Sequence, residues 1–228
     1  MTPPHRLLEV AVRSVDDAHA AQEGGADRVE VVGVVEDAPF SPEPDLVAEI
    51  CRTTDLAVRA RLRLREGYST DGGEIARLCG LAWAYAEAGA EGMTLGFLTL
   101  DGEIDVEVCG AIVDGTTWPW TFHEAVDDAL DSDRAWAALE RLPRLDQVLT
   151  AGSPRGVDAG LDEVLARARS ITEPALLMGG GKLTAEHLPW LLRGGVEAFH
   201  LDTQVRRGAD WDAPVDADVV ASWRRLLS

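Results

Sequence analysis

Two glutamates interrupt segments that otherwise have the apolar pattern of buried strands. Glu9 lies within LLEVAV (7–12), and Glu30 lies within RVEVVGV (28–34). A carboxylate in such a segment is costly to bury unless a cation pairs with it. A carboxylate can also transfer a proton as a general acid or base. Glu9 and Glu30 are therefore candidate catalytic residues, or members of a buried ion pair.

A third extended segment, LAVRARLRL (56–64), carries arginine at every second position. Arg59, Arg61, Arg63 and Arg65 should then project from one face of a strand. A guanidinium keeps its charge and binds a carboxylate or a phosphate through two parallel hydrogen bonds. Two interpretations are compatible. Arg61 or Arg63 pairs with the glutamates of neighbouring strands in a salt-bridge layer, or Arg61, Arg63 and Arg65 hold an anionic ligand in a polar pocket.

Two histidines fall at or near predicted strand ends. His123 ends WTFH (120–123), and His200 lies within VEAFHLD (196–202). A histidine in such a place can act as a general acid or base, or as a metal ligand. The alternative for each is a hydrogen-bonded histidine of the core. Asp202 shares a face with His200 and could orient its ring.

A run of three glycines, Gly179, Gly180 and Gly181, ends the segment PALLMG and precedes Lys182. In many α/β barrels, backbone N–H groups after the seventh and eighth strands hold a phosphate. The three glycines are therefore candidates for binding phosphate or another small anion. A tight turn from strand to helix also needs glycine, and this simpler interpretation stays open.

The elements that carry these residues alternate between extended and helical patterns eight times. Parallel strands joined by helical crossovers follow from that alternation, and eight units favour a closed barrel over an open sheet. We therefore expect a compact α/β protein, a single (β/α)₈ TIM barrel domain over residues 1–228. The predicted strands are 7–12, 28–34, 56–64, 92–98, 120–123, 146–151, 174–179 and 196–202. The predicted helices are 15–25, 45–53, 71–88, 106–113, 132–142, 160–170, 184–195 and 216–227, and residues 36–44, which carry three prolines, are expected to form a loop.

The charge and the cysteine content exclude several classes of partner and of site. The 228 residues include 21 Lys and Arg against 40 Asp and Glu, a net charge of −19, whereas nucleic acids and anionic membranes require a positive surface. Cys51, Cys79 and Cys109 lack the spacing of a disulfide framework or of a closed zinc site. The sequence has neither a signal-peptide pattern nor an apolar run long enough for a membrane span. We expect a cytoplasmic homodimer with no nucleic-acid or membrane partner.

The segments together resemble the CutC family of copper homeostasis proteins, which have a (β/α)₈ barrel fold. The similar stretches follow the family's order and include GGADRVE (24–30), RLRLREGYSTDGGE (61–74), TFHEAVD (121–127), VLTAG (148–152) and LLMGGG (176–181). The resemblance implies a set of characteristic polar positions, which fall on Glu9, Glu30, Arg63, Arg65, Thr121, His123, Asp127, Thr150 and His200.

The chain departs from the family pattern at the positions that would bind copper. The resemblance implies cysteine two residues after each of the first two strand glutamates, where this chain has Ala11 and Val32. Copper(I) prefers sulfur ligands, which neither residue supplies. The arginine that the family pattern has after the TFH histidine is Glu124 here. The family implies copper, but no residue of this chain is assigned as a metal ligand.

Three functions stay open. The first is a CutC-like copper homeostasis protein with weak or lost copper binding. The second is a barrel enzyme of the lyase or isomerase type that acts on a small phosphorylated or carboxylated metabolite, since no dinucleotide motif is present. The third is a binding module whose site has decayed. For the enzyme, His123 is the predicted acid or base, with Glu9, Glu30 and Asp127 as further catalytic residues, and the predicted ligand-binding residues are Arg61, Arg63, Arg65, Thr121, Thr150, Gly179, Gly180, Gly181 and His200.

Overall fold

A computed structural model describes residues 5–35 and 38–228 of the chain. Eight parallel strands close into a barrel, which confirms the compact (β/α)₈ fold predicted from the alternating pattern. In barrel order the strands are β1 (Leu7–Val12), β2 (Arg28–Val31), β5 (Ala57–Arg61), β6 (Gly92–Leu95), β7 (Trp120–Phe122), β8 (Leu145–Thr150), β9 (Leu177–Gly179) and β10 (Ala198–Leu201).

Eight α-helices lie within the described residues, seven between successive barrel strands and the eighth after the last strand. They are α1 (Val15–Glu23), α2 (Pro44–Thr53), α3 (Gly72–Glu87), α4 (Val106–Val113), α5 (Ser132–Leu139), α6 (Val157–Ser170), α7 (Leu188–Arg193) and α8 (Ala217–Leu226). The Ser14 hydroxyl caps α1 by accepting a hydrogen bond from the backbone N–H of Asp17. None of these helices is long and apolar enough to cross a membrane.

A short hairpin replaces part of the predicted loop at 36–44. Strands β3 (Gly33–Val35) and β4 (Ala38–Phe40) pair in antiparallel fashion, so the loop prediction is wrong for residues 38–40. Pro39 is compatible with this strand because a strand at the edge of a sheet does not need every N–H group for pairing. Residues 36 and 37 lie outside the described residues.

The third barrel strand ends earlier than its sequence pattern indicates. Arg59 and Arg61 belong to β5 and are buried, but the strand stops at Arg61. Arg63 and Arg65 therefore lie in the loop beyond the strand, half-buried and exposed respectively. The predicted single face of four arginines is wrong for these two, because the alternation of side chains holds only while the backbone stays extended.

The helix predicted over 184–195 is also shorter, because α7 begins only at Leu188. Pro189 then lies in the first turn of the helix. Backbone N–H groups in the first turn have no acceptor within the helix, so a proline there removes no hydrogen bond. The predicted strand 174–179 divides in a similar way into a 3-10 turn (Pro174–Leu176) followed by β9.

Candidate functional site

The floor of the barrel is a layer of paired charges. Arg28 donates from Nε to Glu9 Oε2 at 2.5 Å, and it also donates to the side chain of Gln147. Arg59 binds both carboxylate oxygens of Asp146. These contacts confirm that polar side chains occupy the interior, although the partner of Glu9 is Arg28 rather than the predicted Arg61 or Arg63. Arg28 follows directly from the register, because its Cα is the β2 partner of Glu9 in β1.

Above this layer, Glu30 and Arg61 form the ion pair expected from their neighbouring strands. Arg61 donates from Nε to Oε1 at 2.8 Å and from Nη2 to Oε2 at 2.9 Å. Both side chains are buried. Burial disfavours the charged guanidinium, but Glu30 and Glu124 outweigh it and raise the pKa of Arg61 above its usual range. The guanidinium of Arg61 therefore keeps its charge at every ordinary pH.

His200 is held by Glu9 at the bottom of the same region. Its ring Nδ1 lies 2.8 Å from Glu9 Oε1, while its Nε2 is 3.8 Å from Glu30 Oε2, too far for a hydrogen bond. Burial opposes protonation, but the hydrogen bond to Glu9 and the nearby carboxylates raise the pKa of His200 to about 9. The ring is therefore an imidazolium at neutral pH, with Nδ1–H donating to Glu9.

A cavity of about 290 Å³ opens above these pairs at the carboxyl ends of the strands. This is the face on which α/β barrels carry their functional sites. Five residues predicted from the sequence line it: Glu30, Arg61, Asp127, Gly181 and His200. The volume is near the lower limit for ligand pockets, and it suits a small metabolite rather than a cofactor.

Asp127 places a carboxylate in the wall of this cavity. It accepts hydrogen bonds from the Thr150 hydroxyl and from the backbone N–H groups of Ala151 (2.7 Å) and Gly152 (3.1 Å). Burial raises the pKa of Asp127 to about 6, and the charge of Glu124 acts in the same direction. A carboxyl group with a pKa near neutrality can both accept and return a proton.

His123 lies outside the lining of the cavity. Its Nδ1 accepts a hydrogen bond from the backbone N–H of Ala125 at 3.1 Å and so caps a 3-10 turn over Glu124–Asp128. Its ring lies 5.5 Å from that of Tyr68, which does line the cavity. Burial, reinforced by the charges of nearby arginines, lowers the pKa of His123 to about 3. The ring is neutral, and its geometry fits a structural cap.

The neighbouring residue Gly96 explains why the His123 ring fits where it does. A Cβ atom at Gly96 would come within 2.7 Å of ring atoms of His123. Only glycine allows the ring to lie against the end of β6 in this way.

Four other predicted ligand residues are also absent from the lining of the cavity. Arg63 stacks its guanidinium on the rings of Phe40 and Tyr68, and Arg65 pairs with Asp71 and Glu74 on the surface. The remaining two are threonines. Thr121 accepts a hydrogen bond from Arg59 in the floor, and Thr150 supports Asp127.

The glycine run contributes less directly than a phosphate loop would. Gly181 lines the cavity, whereas Gly179 belongs to β9. A Cβ atom at Gly180 would lie 2.5 Å from Leu149 Cδ1 and 3.0 Å from His200 Cβ. This close approach explains the glycine by packing alone, as the simpler interpretation proposed.

The cavity also contains residues that the sequence argument did not select as site residues. They are Glu124 and Asp128 in the 3-10 turn, Lys182 after the glycine run, and Trp211 in the segment before α8. Lys182 is the only lysine of the chain, and it forms no ion pair with any described residue. Its being the only lysine could have marked it in the sequence as a candidate site residue. Nothing in the sequence pattern singled out Trp211.

The fold and the cavity define the class of (β/α)₈ barrel proteins with a polar site at the carboxyl ends of the strands. The chain belongs to the CutC family, whose family model matches residues 6–205. It is 32% identical over 209 residues to the human protein named copper homeostasis protein cutC homolog. The aligned residues are 88% of this chain and 74% of the human protein. A CutC family protein of Xanthomonas campestris pv. campestris (strain B100) is 30% identical over 212 residues, which is 91% of this chain and 87% of the relative.

Solved structures agree with the fold. The CutC protein of Streptococcus agalactiae superimposes with a TM-score of 0.77 at 21% identity, covering 86% of this chain and 97% of that chain. A phosphoribosyl anthranilate isomerase from Thermococcus kodakaraensis has a TM-score of 0.67 at 15% identity, covering 97% of this chain and 98% of that chain. At these identities the similarity concerns the fold alone.

The residues of the cavity do not fit copper(I). Ala11 and Val32, at the two positions where the family pattern has cysteine, both line the cavity with hydrocarbon. The three cysteines lie on α2, α3 and α4, as their sequence positions predicted. No group of three or more histidine, cysteine or acidic side chains in residues 5–35 and 38–228 is arranged to hold a metal ion. The cavity at the carboxyl ends of the strands therefore supplies no thiolate ligand for copper.

Proposed function

We propose that this CutC family member binds a small anionic metabolite at the mouth of the barrel and transforms it by proton transfer, as a lyase or an isomerase does. The observation that carries the proposal is the position of Asp127. A carboxyl group whose pKa is about 6 lines a cavity of about 290 Å³ that also contains the imidazolium of His200. An acid or base and a fixed positive charge thus share one small site.

Within this proposal, the predicted catalytic residues have different roles. Asp127 transfers the proton. Glu9 and Glu30 act as positioning residues, because both oxygens of Glu9 bond to Arg28 and His200 and both oxygens of Glu30 bond to Arg61. His123 is a positioning residue for the turn that carries Asp127. The ligand's anionic group lies near His200 and Lys182, since Arg63 and Arg65 are engaged elsewhere.

A role in copper homeostasis is the second candidate, and it comes from the names of the relatives. The hydrocarbon side chains of Ala11 and Val32 count against direct copper binding. Such a role would then operate through the metabolite and not through the metal.

Two binding measurements on the purified protein test the proposal. A thermal-shift panel of small carboxylates and phosphate esters at pH 7 should contain at least one compound that raises the Tm of the wild type. The increase in Tm that the same compound gives should be different in the Asp127→Asn variant, because this variant keeps the shape of the site but its amide cannot gain or lose the carboxyl proton. Copper(I), measured by competition with a chromophoric chelator, should bind no more tightly than micromolar. Tight copper binding without any stabilising metabolite would overturn the proposal.

The expectations of a homodimer and of a cytoplasmic location remain predictions. Sedimentation velocity of the purified protein decides the first, and localisation of a tagged chain in cells decides the second.

A further inference from the structure

Two cationic donors at the bottom of the cavity lack a protein acceptor. His200 uses Nδ1 for Glu9, and its Nε2 forms no hydrogen bond with any described residue. Arg61 uses Nε and Nη2 for Glu30, while its Nη1 forms no hydrogen bond with any described residue and lies 3.7 Å from Glu124 Oε1. Both side chains are more than nine-tenths buried, and both line the cavity. Because both residues line the cavity and neither of these donors has a hydrogen-bond acceptor among the described residues, a ligand in the cavity can supply the acceptor for both.

Glu30 lies beside both donors. This carboxylate is bonded to Arg61 and lies 3.8 Å from His200 Nε2, and Glu9 fixes the imidazole from the opposite side. Because each cation is anchored by its own carboxylate, the donors are oriented before a ligand arrives. Preorganised donors of this kind stabilise an oxygen that gains negative charge during a reaction.

We propose that His200 Nε2–H and Arg61 Nη1–H form an oxyanion site, and that the substrate is a carbonyl compound with an acidic C–H next to the carbonyl. The assignment rests on the proposed function, which it makes specific. The Asp127 carboxylate removes the proton from the carbon. The C–H electron pair forms a carbon–carbon double bond, and the carbonyl π pair moves to the oxygen that faces His200 and Arg61. Asp127 then returns the proton to carbon, the C–H bond re-forms, and the electron pair on oxygen restores the carbonyl, so the step needs no oxidant.

The hydrogen bonds of Asp127 leave room for that proton. Oδ1 accepts from Thr150 and Gly152, whereas Oδ2 accepts only from Ala151. A carboxylate oxygen has two lone-pair sites, so one site of Oδ2 is free to accept the substrate proton. The backbone and hydroxyl donors hold the carboxylate in place meanwhile.

Oxalate tests the assignment directly, because it is a planar dianion that resembles the enolate of a small keto acid. In protein labelled with ¹⁵N-histidine, His200 should show two protonated ring nitrogens at pH 7.5. Oxalate should shift the Nε2 signal of His200 and leave that of the exposed His19 unchanged. A neutral His200, or an unchanged Nε2 signal at saturating oxalate, would overturn the assignment even where other metabolites stabilise the protein.

Variants give a second readout of the same site. His200→Gln removes the charged donor and should weaken oxalate roughly 10- to 100-fold, the loss expected for one charge-assisted hydrogen bond. Glu124→Gln removes the carboxylate beside Arg61 Nη1 and should tighten oxalate, which a purely structural role for Arg61 does not predict. His19→Gln is the matched control and should leave the affinity unchanged. If oxalate and every compound of the metabolite panel fail to bind, the proposed function falls together with the oxyanion site.

Discussion

The side chains of Glu30 and Arg61 meet in the barrel interior through two hydrogen bonds of 2.8 and 2.9 Å. The pair connects the structural floor to the cavity, because Arg61 also lines the cavity. Removing one partner of a buried pair leaves an uncompensated charge, whereas replacing both can be nearly neutral. Arg61→Met should therefore lower the free energy of unfolding by about 3–5 kcal/mol.

Urea denaturation of three variants checks this expectation. The double variant Glu30→Leu with Arg61→Met should recover much of the stability that Arg61→Met loses. If the double variant is less stable than either single variant, the two residues do not act as an isolated pair.

The stability of the protein should fall as the pH rises from about 6.5 to 9. The pKa of His200 is raised from its ordinary value of 6.5 to about 9 in the folded state. A group whose pKa is raised in the folded state stabilises the protein fully at pH values below its pKa in the unfolded state. That stabilisation is lost as the pH rises through the pKa of the folded state. The loss should be on the order of 3 kcal/mol. Thermal melts across this pH range measure it, and His200→Gln should flatten the profile. An equal slope in the variant would assign the effect to other groups.

Introducing cysteine at the two family positions should create copper(I) binding. Ala11 lies in β1, Val32 directly follows β2, and both line one cavity, so the double variant Ala11→Cys with Val32→Cys places two thiols in the same space. Copper(I) favours such sulfur ligands. Competition against a chromophoric chelator should show binding in the double variant and none tighter than micromolar in the wild type.

The matched control for that experiment removes the native thiols. Replacing Cys51, Cys79 and Cys109 by serine should leave the copper affinity of the double variant unchanged, because these residues lie on helices. Submicromolar binding by the wild type would contradict the copper argument.

Substitution of His123 should affect stability and leave ligand binding intact. His123→Ala removes the acceptor of the Ala125 N–H and leaves a space beside Tyr68. Loss of a cap costs about 1 kcal/mol, and the space adds to that cost. Denaturation should report the destabilisation, while the affinity for the most stabilising metabolite of the panel should change less than twofold. A loss of metabolite affinity much larger than twofold in a folded His123→Ala protein would contradict a purely structural role for His123.

The alternation of patterns was sufficient to predict the barrel, and the glutamates inside strands were sufficient to predict polar pairs in its interior. The Glu30–Arg61 pair follows from side-chain alternation on neighbouring strands. Arg28 was not recognised as the partner of Glu9, because an arginine at the start of a strand also fits a solvated end. The strand register settles that question, and register cannot be inferred from one sequence.

The candidate site was predicted only in part for a related reason. Arg63 and Arg65 continue the pattern of β5, but the backbone leaves the strand at Arg61. His123 has the residue type of a catalytic group, whereas its role depends on the Ala125 N–H and on the space that Gly96 provides. Asp127 was found by resemblance, and its raised pKa depends on burial that only the folded chain produces.

A crystal structure of the protein with the most stabilising carbonyl or carboxylate compound of the panel would show directly whether His200 and Arg61 hold the ligand. We expect a ligand oxygen within about 3 Å of both His200 Nε2 and Arg61 Nη1, with a carbon of the ligand facing Asp127 Oδ2. A ligand bound outside the cavity, or one whose anionic group avoids His200 and Arg61, would contradict it.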